Sequence, residues 1–200
     1  MTTEDINKIL NISESYQATS KLMKILFDED MKNEIFKKFL EIEHDVSYDW
    51  FVDYFQSEHA DRKGFKQDFT PKTVTQLMTL LAGDKTNNYF ESACGSGSIL
   101  IKHWNQTRLK VNPFEYDPRN YWHHLEEYSD RVLPFLLFNM AIRGMNGIVM
   151  HGDSLERKFK NVYFIRNNSS DFLRFSEVII MPQSDDVAKE LNVKEWINEK

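Results

Sequence analysis

The chain has 200 residues, a formal net charge of −6 and a single cysteine, Cys94. This length is enough for one domain with a hydrophobic core, or for one domain with a modest extension. A single cysteine excludes a disulfide framework or a cysteine zinc site within one chain, and the lack of long apolar runs together with the polar start predicts a soluble, cytoplasmic protein without membrane contact.

Charge divides the chain into two parts. Residues 1–62 contain seven Lys or Arg against fourteen Asp or Glu, whereas residues 63–200 contain eighteen against seventeen. A protein that tracks nucleic acid on its own usually presents a basic face, so this balance predicts weak DNA binding by the chain alone. We place the boundary in the charged segment 61–68 and predict two regions, an acidic helical region over 1–62 and a second domain over 63–200.

The N-terminal region has the pattern of helices. Apolar residues recur at helical spacing with charges between them, as at Leu22, Ile25 and Leu26, and no glycine or proline interrupts residues 1–60. This pattern favours a small helical bundle packed on the main domain, with a docking surface for a partner as the alternative. After the boundary, Thr70 and Pro71 are typical of a helix start.

Residues 88–101 form the central motif. The segment 88–91 has strand character, the small residues up to Gly97 favour a sharp turn, and the apolar residues that follow predict a helix with Ser96 or Ser98 as its cap. This is the form of a nucleotide-binding turn at the carboxyl end of a strand. The pattern is equally compatible with an ordinary strand–turn–helix connection, because short glycine motifs often occur by chance.

Two nearby residues bear on the ligand. Glu115 lies twenty positions after Gly95, and we expect it at the end of a second strand, where an acid can accept hydrogen bonds from ribose hydroxyls. Leu100 stands where a dinucleotide fingerprint requires its third glycine. This departure favours a ligand with an adenosine but no pyrophosphate, such as S-adenosylmethionine, over NAD.

The remainder of the chain predicts alternating helices and strands. Residues 117–144 read as helical, with a kink or a fresh start at Pro134, and residues 148–150 as a short strand. Asp153, just past that strand, can accept from the amine of adenine or can form a turn. We interpret His123 and His124 as helix-surface residues that make a poor metal site, because adjacent helical side chains point in different directions.

The last part of the chain is predicted from its charge and its apolar runs. The basic stretch 156–174 favours a solvated loop, with a phosphate-facing patch as the alternative. Residues 177–181 predict a buried parallel strand, and residues from Asp185 onward a closing helix that includes Trp196.

Five segments together resemble one family. Residues 69–71, 91–97, 115, 138–144 and 152–155 follow the order and spacing of the N6-adenine DNA methyltransferases, most closely the modification subunit of type I restriction-modification systems. The resemblance covers about residues 63–184. It implies an α/β fold with a truncated Rossmann-like sheet, an N-terminal helical extension and a ligand at the carboxyl ends of the strands.

The resemblance also implies S-adenosylmethionine as cofactor and a set of residues that bind it. Those residues are Phe69, Thr70, Pro71, Glu91, Ala93, Cys94, Gly95, Gly97, Glu115, Tyr116 and Asp153. Within this set, residues 69–71 would close over the methionine end, Glu115 would hold the ribose, and Asp153 would accept from the adenine amine.

The catalytic motif of the family is degenerate in this chain. In the family, a strand ends in Asn-Pro-Pro-Phe or Asn-Pro-Pro-Tyr, which polarises the target amine and stacks on the flipped base. The corresponding residues here are Met181, Pro182, Gln183 and Ser184. Met181 cannot accept hydrogen bonds as Asn does and Ser184 has no ring, so no catalytic residue is assigned.

Two functional hypotheses follow. In the first, the chain is an S-adenosylmethionine-binding domain and, if active, a site-specific adenine DNA methyltransferase in which Gln183 or a partner supplies the missing contacts. In the second, it is a non-catalytic regulator or anti-restriction module on the same fold. The resemblance implies DNA and subunits of a restriction-modification or phage DNA-metabolism assembly as partners.

Overall fold

The computed structural model describes residues 1–58, 87–171 and 173–197. The predicted domain boundary, the predicted helix after Thr70 and the candidate ligand residues Phe69, Thr70 and Pro71 lie outside these ranges.

Four helices form the N-terminal region, as the apolar spacing predicts. They are α1 (Thr3–Leu10), α2 (Ala18–Leu26), α3 (Glu29–Ile42) and α4 (Val52–Glu58), with a 3₁₀ turn at Ser15–Gln17. Thr2 and Asp5 form a capping box at the start of α1. Leu22, Ile25 and Leu26 are buried on one side of α2, which confirms the predicted stripe.

The rest of the described chain is a mixed α/β structure. Its elements are β1 (Asn88–Ser92), α5 (Ser98–Arg108), a 3₁₀ turn (Pro118–Asn120), β2 (Trp122–Glu127), α6 (Leu133–Ile142), β3 (Gly147–Asp153), β4 (Lys158–Arg166), β5 (Glu177–Ile180), α7 (Asp185–Glu190) and β6 (Glu195–Trp196). The sheet order is β1-β2-β3-β4-β5, with β6 paired to β4. Strands β1, β2 and β3 are parallel, whereas β4 is antiparallel to both β3 and β5. The α/β class is therefore confirmed.

Helix α6 joins the N-terminal helices to the sheet. Pro134 lies in its first turn, so the predicted fresh start is confirmed and no kink is needed. The ring of Phe138 lies 4.7 Å from that of Phe36, 4.8 Å from that of Phe39 and 5.2 Å from that of Phe51, measured between centroids. The helices and one face of the sheet consequently share one hydrophobic core.

The two faces of the sheet are covered unequally. Leu125, Val149 and Ile165 lie in the main core beneath the helices. Side chains of opposite parity along the strands, such as Met150 and Val162, form a smaller cluster on the second face. Elements α7 and β6 pack on that cluster through residues such as Leu191 and Trp196. The second face at β1 and β2 is more open, and Phe90 there is 61% exposed.

The predicted helix over residues 117–144 is wrong in its middle. His123 and His124 lie in β2, and His123 is buried with its Nδ1 2.8 Å from the carbonyl oxygen of Asn146. Burial lowers the pKa of His123 to about 4 and keeps the ring neutral. The segment contains few β-branched residues, so its strand character comes from pairing with β1 and β3.

The predictions for residues 156–197 also need correction. The basic stretch contains β4, which has charged residues near its two ends and the apolar run 162–165 between them and pairs with β3. Strand β5 is antiparallel to its neighbour β4 and half exposed, so the predicted buried parallel strand is wrong. The closing helix ends at Glu190, and Trp196 belongs to β6.

Candidate functional site

The carboxyl ends of β1, β2 and β3 meet at one edge of the sheet. Ser92 pairs with Glu126, and Glu127 pairs with His151. This register brings the turn after β1, the acids at the end of β2 and Asp153 at the end of β3 to the same edge, where ligands of open α/β sheets bind. We call it the carboxyl edge.

The turn over residues 93–97 is built from left-handed backbone. Ala93, Gly95 and Gly97 have φ angles of 56°, 58° and 92°. A Cβ on Gly97 would lie 2.9 Å from a terminal methyl group of the Leu136 side chain, and the left-handed backbone is the stronger reason for glycine there. A Cβ on Gly95 would meet no described atom within 4 Å. Among the described residues, therefore, nothing prevents a ligand from approaching the backbone at Gly95.

Glu127 is the acid at the end of the second strand. Its Oε2 accepts a 2.7 Å hydrogen bond from the amide of Gly95, and its Oε1 accepts one of 2.8 Å from the amide of Ser129. The residue is only 6% exposed. Because each carboxylate oxygen has two lone pairs, both can accept a further hydrogen bond. Glu127 thus links the turn after β1 to the end of β2 and keeps the capacity to bind a hydroxyl.

The neighbouring acid, Glu126, points to the opposite face of the sheet. Its Oε1 lies 2.6 Å from Nη1 of Arg157 and 3.3 Å from Nε2 of His124. Burial alone would raise the pKa of Glu126, but hydrogen bonds from His124, Arg157 and Ser154 outweigh it and lower that pKa. Glu126 is therefore part of a structural ion pair and is not available to the carboxyl edge.

Glu115 does not end the second strand, and this prediction is wrong. It lies exposed in a turn between α5 and the 3₁₀ segment. Tyr116 is buried, and its hydroxyl accepts a 3.1 Å hydrogen bond from Nε1 of Trp104 beneath α5. The connection after α5 is longer than the expected spacing allows, so the acid of β2 follows Gly95 by 32 positions.

Glu91 lies in β1 just before the turn, and Cys94 lies within the turn. Glu91 accepts a 2.7 Å hydrogen bond from the hydroxyl of Tyr89, and burial, together with the nearby charge of Glu127, raises the pKa of Glu91 to about 7. Burial raises the pKa of the Cys94 thiol, and Glu91 and Glu127 raise it further. The thiol is therefore protonated, and its Sγ donates to the carbonyl oxygen of Glu126 at 3.4 Å.

Asp153 lies at the end of β3, after a bulge between His151 and Gly152. Its Oδ1 accepts hydrogen bonds from the amides of Leu155 and Glu156 at 2.8 and 2.9 Å. These contacts are those of a turn former, one of the two interpretations open from the sequence. They occupy one carboxylate oxygen and fix the orientation of the side chain at the carboxyl edge.

Ser96 and Ser98 do not cap α5. The N-cap is Gly97, and no side chain caps the helix at that position. The hydroxyls of Ser96 and Ser98 instead donate to Oδ2 of Asp49, at 2.5 and 3.0 Å. The prediction of a serine cap is wrong because a carboxylate from the N-terminal region competes for both hydroxyls.

Sequence reasoning also missed Tyr128. It follows Glu127 directly at the carboxyl edge, and its side chain is 69% exposed. An exposed aromatic ring provides a flat surface for a planar ligand. Both Glu127 and Tyr128 follow from recognising β2, but the sequence of residues 122–127 carries little signal for a strand.

The degenerate motif lies at the far end of the sheet from the glycine turn, although β5 runs in the same direction as β1 to β3 and ends at the same edge. Residues 181–184 follow β5, which is four strand positions from β1, or about 19 Å at the usual strand spacing. Ser184 accepts a hydrogen bond from the amide of Val187 and caps α7, and Gln183 Nε2 donates to the carbonyl oxygen of Lys160 at 2.7 Å. Met181 packs on the second-face cluster. These residues therefore have structural contacts and do not approach Gly95.

The fold and the carboxyl edge together define a class of α/β protein. A glycine turn and a buried acid at the ends of parallel strands are typical of α/β proteins that bind nucleotide-like ligands. A family model described as N-6 DNA Methylase matches residues 42–173, more than half of the chain. The chain belongs to this family, and the resemblance to N6-adenine DNA methyltransferases is confirmed.

A curated protein is similar over much of the same region. The chain is 29% identical over 166 residues to the methylase subunit of the type I restriction enzyme MjaVII from Methanocaldococcus jannaschii. The alignment covers 74% of this chain and 26% of that protein, so the chain spans about a quarter of the length of this relative. Among the helices that the structure describes, none has the length and apolar character needed to cross a membrane.

Proposed function

We propose that this chain binds S-adenosylmethionine at the carboxyl edge, as a domain of an adenine-specific (N6) DNA methyltransferase with a Rossmann-like sheet. The observation that carries the proposal is the hydrogen bond from Gly95 to Glu127, which joins the glycine turn to the acid of the second strand. Membership of the N-6 DNA methylase family supports it. The cofactor supplies an electrophilic methyl group, and the chain's own residues supply its binding and orientation.

The residues of the carboxyl edge suit an adenosine. Glu127 takes the role first given to Glu115, because its oxygens can each accept a further hydrogen bond from a ribose hydroxyl. Tyr128 offers a ring for the adenine, and Asp153 an acceptor for the adenine amine. The open space over Gly95 lets the ligand approach the backbone. The roles of Phe69, Thr70 and Pro71 at the methionine end remain part of the proposal.

The same edge does not suit a pyrophosphate. The amino end of α5 already holds the carboxylate of Asp49 through Ser96 and Ser98, so a second anion there would be repelled. Leu100 is fully buried in the core, where a dinucleotide fingerprint places glycine. An NAD-dependent oxidoreductase is therefore disfavoured.

Methyl transfer needs groups that the degenerate motif lacks. Met181 packs on the sheet, and Ser184 caps a helix. Neither residue offers an amide acceptor or an aromatic ring for a flipped adenine. We therefore propose that transfer, where it occurs, requires DNA and a partner from a restriction-modification or phage DNA-metabolism assembly. The relative named above is a subunit of a type I restriction enzyme, which supports a partner of this kind.

A non-catalytic interaction module is the second candidate. A groove of about 780 Å³ on the second face of the sheet is lined by apolar side chains that include Phe90, Trp122 and Phe164. Exposed apolar grooves of this kind are typical of surfaces that bind other proteins. This module would keep cofactor binding without methyl transfer.

Two measurements test the proposal. Titration calorimetry with S-adenosylmethionine should give binding by the folded wild-type protein and none by Gly97→Asp, since that side chain would collide with Leu136 at a left-handed position. A folded wild-type protein that releases no heat of binding would contradict the proposal. Transfer of a labelled methyl group to duplex or single-stranded DNA, with loss in Asp153→Ala, would favour the enzyme, and binding without transfer would favour the module.

A further inference from the structure

A buried polar network connects the N-terminal region to the glycine turn. Asp49 precedes α4, is almost completely buried, and accepts four hydrogen bonds through its two carboxylate oxygens. Oδ2 accepts from the hydroxyls of Ser96 and Ser98, and Oδ1 accepts from Nδ2 of Asn139 at 2.9 Å and from the amide of Phe51 at 3.0 Å. The carboxylate therefore joins three separate segments of the chain.

Two further side chains complete the network. Asn139 Nδ2 also donates to the carbonyl oxygen of Ser96 at 2.9 Å, so the turn is held through both its backbone and its side chain. Arg143 donates to Asn139 and to the carbonyl oxygens of Val46 and Tyr48. Burial lowers the pKa of the Arg143 guanidinium to about 10, and the charge of Asp49 offsets part of that effect. A buried charge is stable only when it is paired and hydrogen-bonded, so the network depends on Asp49.

We propose that Asp49 is a positioning residue that holds the 93–97 turn in the shape that binds the cofactor. This inference rests on the proposed binding of S-adenosylmethionine and adds the N-terminal region to the site. Three residues of the turn have left-handed backbone, which persists only when the surrounding contacts favour it. Asp49 supplies those contacts on the side of the turn that faces the helices, and Glu127 supplies them at Gly95.

The extent of the family match agrees with this assignment. The match begins at residue 42 and therefore includes Asp49, although the sequence pattern places a boundary at residue 62. The binding site, in this view, is incomplete without residues 46–51. The N-terminal region is thus part of the site and not only a cover for the core.

Asp49→Asn tests the proposal because it keeps the size of the side chain and removes its charge. We expect the dissociation constant for S-adenosylmethionine to rise about ten-fold, measured by calorimetry at a temperature where the variant is folded. Hydrogen exchange at the backbone amides of residues 93–98 should become faster. The double variant Ser96→Ala/Ser98→Ala should give the same two effects, and Asp49→Asn should change them less in that variant than in the wild type, because the three residues interact directly.

Tyr54→Phe is the matched control. It removes a buried hydroxyl that bonds to Asn7 and Ser15 within the N-terminal region, so it lowers stability without contact to the turn. It should leave both the affinity and the exchange at 93–98 unchanged. Affinity and exchange that are unchanged in Asp49→Asn, or changed equally in Tyr54→Phe, would overturn the proposal, and so would a double serine variant that behaves as wild type.

The two readouts separate this inference from the proposed function. If the wild-type protein does not bind S-adenosylmethionine, the proposed function fails, and unchanged exchange at residues 93–98 in Asp49→Asn would overturn the positioning role by itself. If Asp49→Asn does not fold, the double serine variant tests the same contacts, because the hydroxyls of both serines donate to Asp49.

Discussion

The two ends of the sheet use their residues in opposite ways. At the carboxyl edge of β1 to β3, Glu127 and Asp49 hold a left-handed glycine turn whose outer side is open. At the β5 end, residues 181–184 cap a helix, bond to a neighbouring strand and fill a small apolar cluster. The first arrangement leaves hydrogen-bonding capacity for a ligand, whereas the second uses its polar groups within the protein.

This difference separates the proposed cofactor site from the degenerate motif by the width of the sheet. Doubly wound α/β folds in general place strands on both sides of the first one. In the described residues of this chain, β4 and β5 continue outward on the far side from β1, with β4 antiparallel to both of its neighbours and β5 again in the direction of β1 to β3. A motif at the end of β5 is therefore remote from the turn after β1, whatever its sequence.

The largest expected effect is at the acid of the second strand. Glu127→Gln removes the charge that accepts from Gly95 and, as proposed, from the ribose, so we expect the dissociation constant for S-adenosylmethionine to rise about 100-fold. Glu115→Gln is the matched control, because Glu115 is exposed in a turn. Equal losses of affinity in Glu127→Gln and Glu115→Gln, measured by calorimetry, would indicate that Glu115 also takes part in binding.

Glu91 should make stability depend on pH. The pKa of Glu91 is raised from 4.5 to about 7 in the folded protein. The contribution of protonated Glu91 to the free energy of unfolding is therefore fully present below about pH 4.5 and is lost as the pH rises through about 7. Between pH 5 and pH 8, the wild-type free energy of unfolding should fall by about 2 kcal/mol relative to that of Glu91→Gln. Denaturant titrations at both pH values measure this difference, and parallel behaviour of the two proteins would exclude it.

A smaller effect is expected at the end of β3. Asp153→Asn keeps an acceptor for the amides of Leu155 and Glu156 but removes the charge that, as proposed, holds the adenine amine. The affinity of Asp153→Asn for S-adenosylhomocysteine should be about ten-fold lower than that of the wild type. Its affinity for S-inosylhomocysteine, the analogue without that amine, should not be lower. Losses of the same size for both ligands would indicate that Asp153 acts only as a turn former.

The smallest effect is expected at the far end of the sheet. Gln183→Ala removes a bond to the carbonyl oxygen of Lys160 and lies about four strands from the turn. The dissociation constant for S-adenosylmethionine should stay within about two-fold of the wild-type value. A clear loss of affinity in Gln183→Ala would indicate that the ligand contacts this end of the sheet, and would contradict the contrast between the two ends.

Local patterns predicted much of the fold and part of the site. The stripe of α2, the glycine turn, the start of α6 at Pro134 and the strand over residues 148–150 were readable because each depends on neighbours in sequence. Strand β2 was not, since its residues have little strand preference and gain it by pairing on both sides. Missing β2 led directly to the choice of Glu115 over Glu127.

The sequence by itself determined the family and the glycine turn, because the order of short motifs and the glycines at 95 and 97 are local properties. The tertiary structure decided which acid meets that turn, that Asp49 holds it, and how far residues 181–184 lie from it. These depend on contacts between residues 32 to 49 positions apart and on the order of strands, neither of which a local pattern encodes.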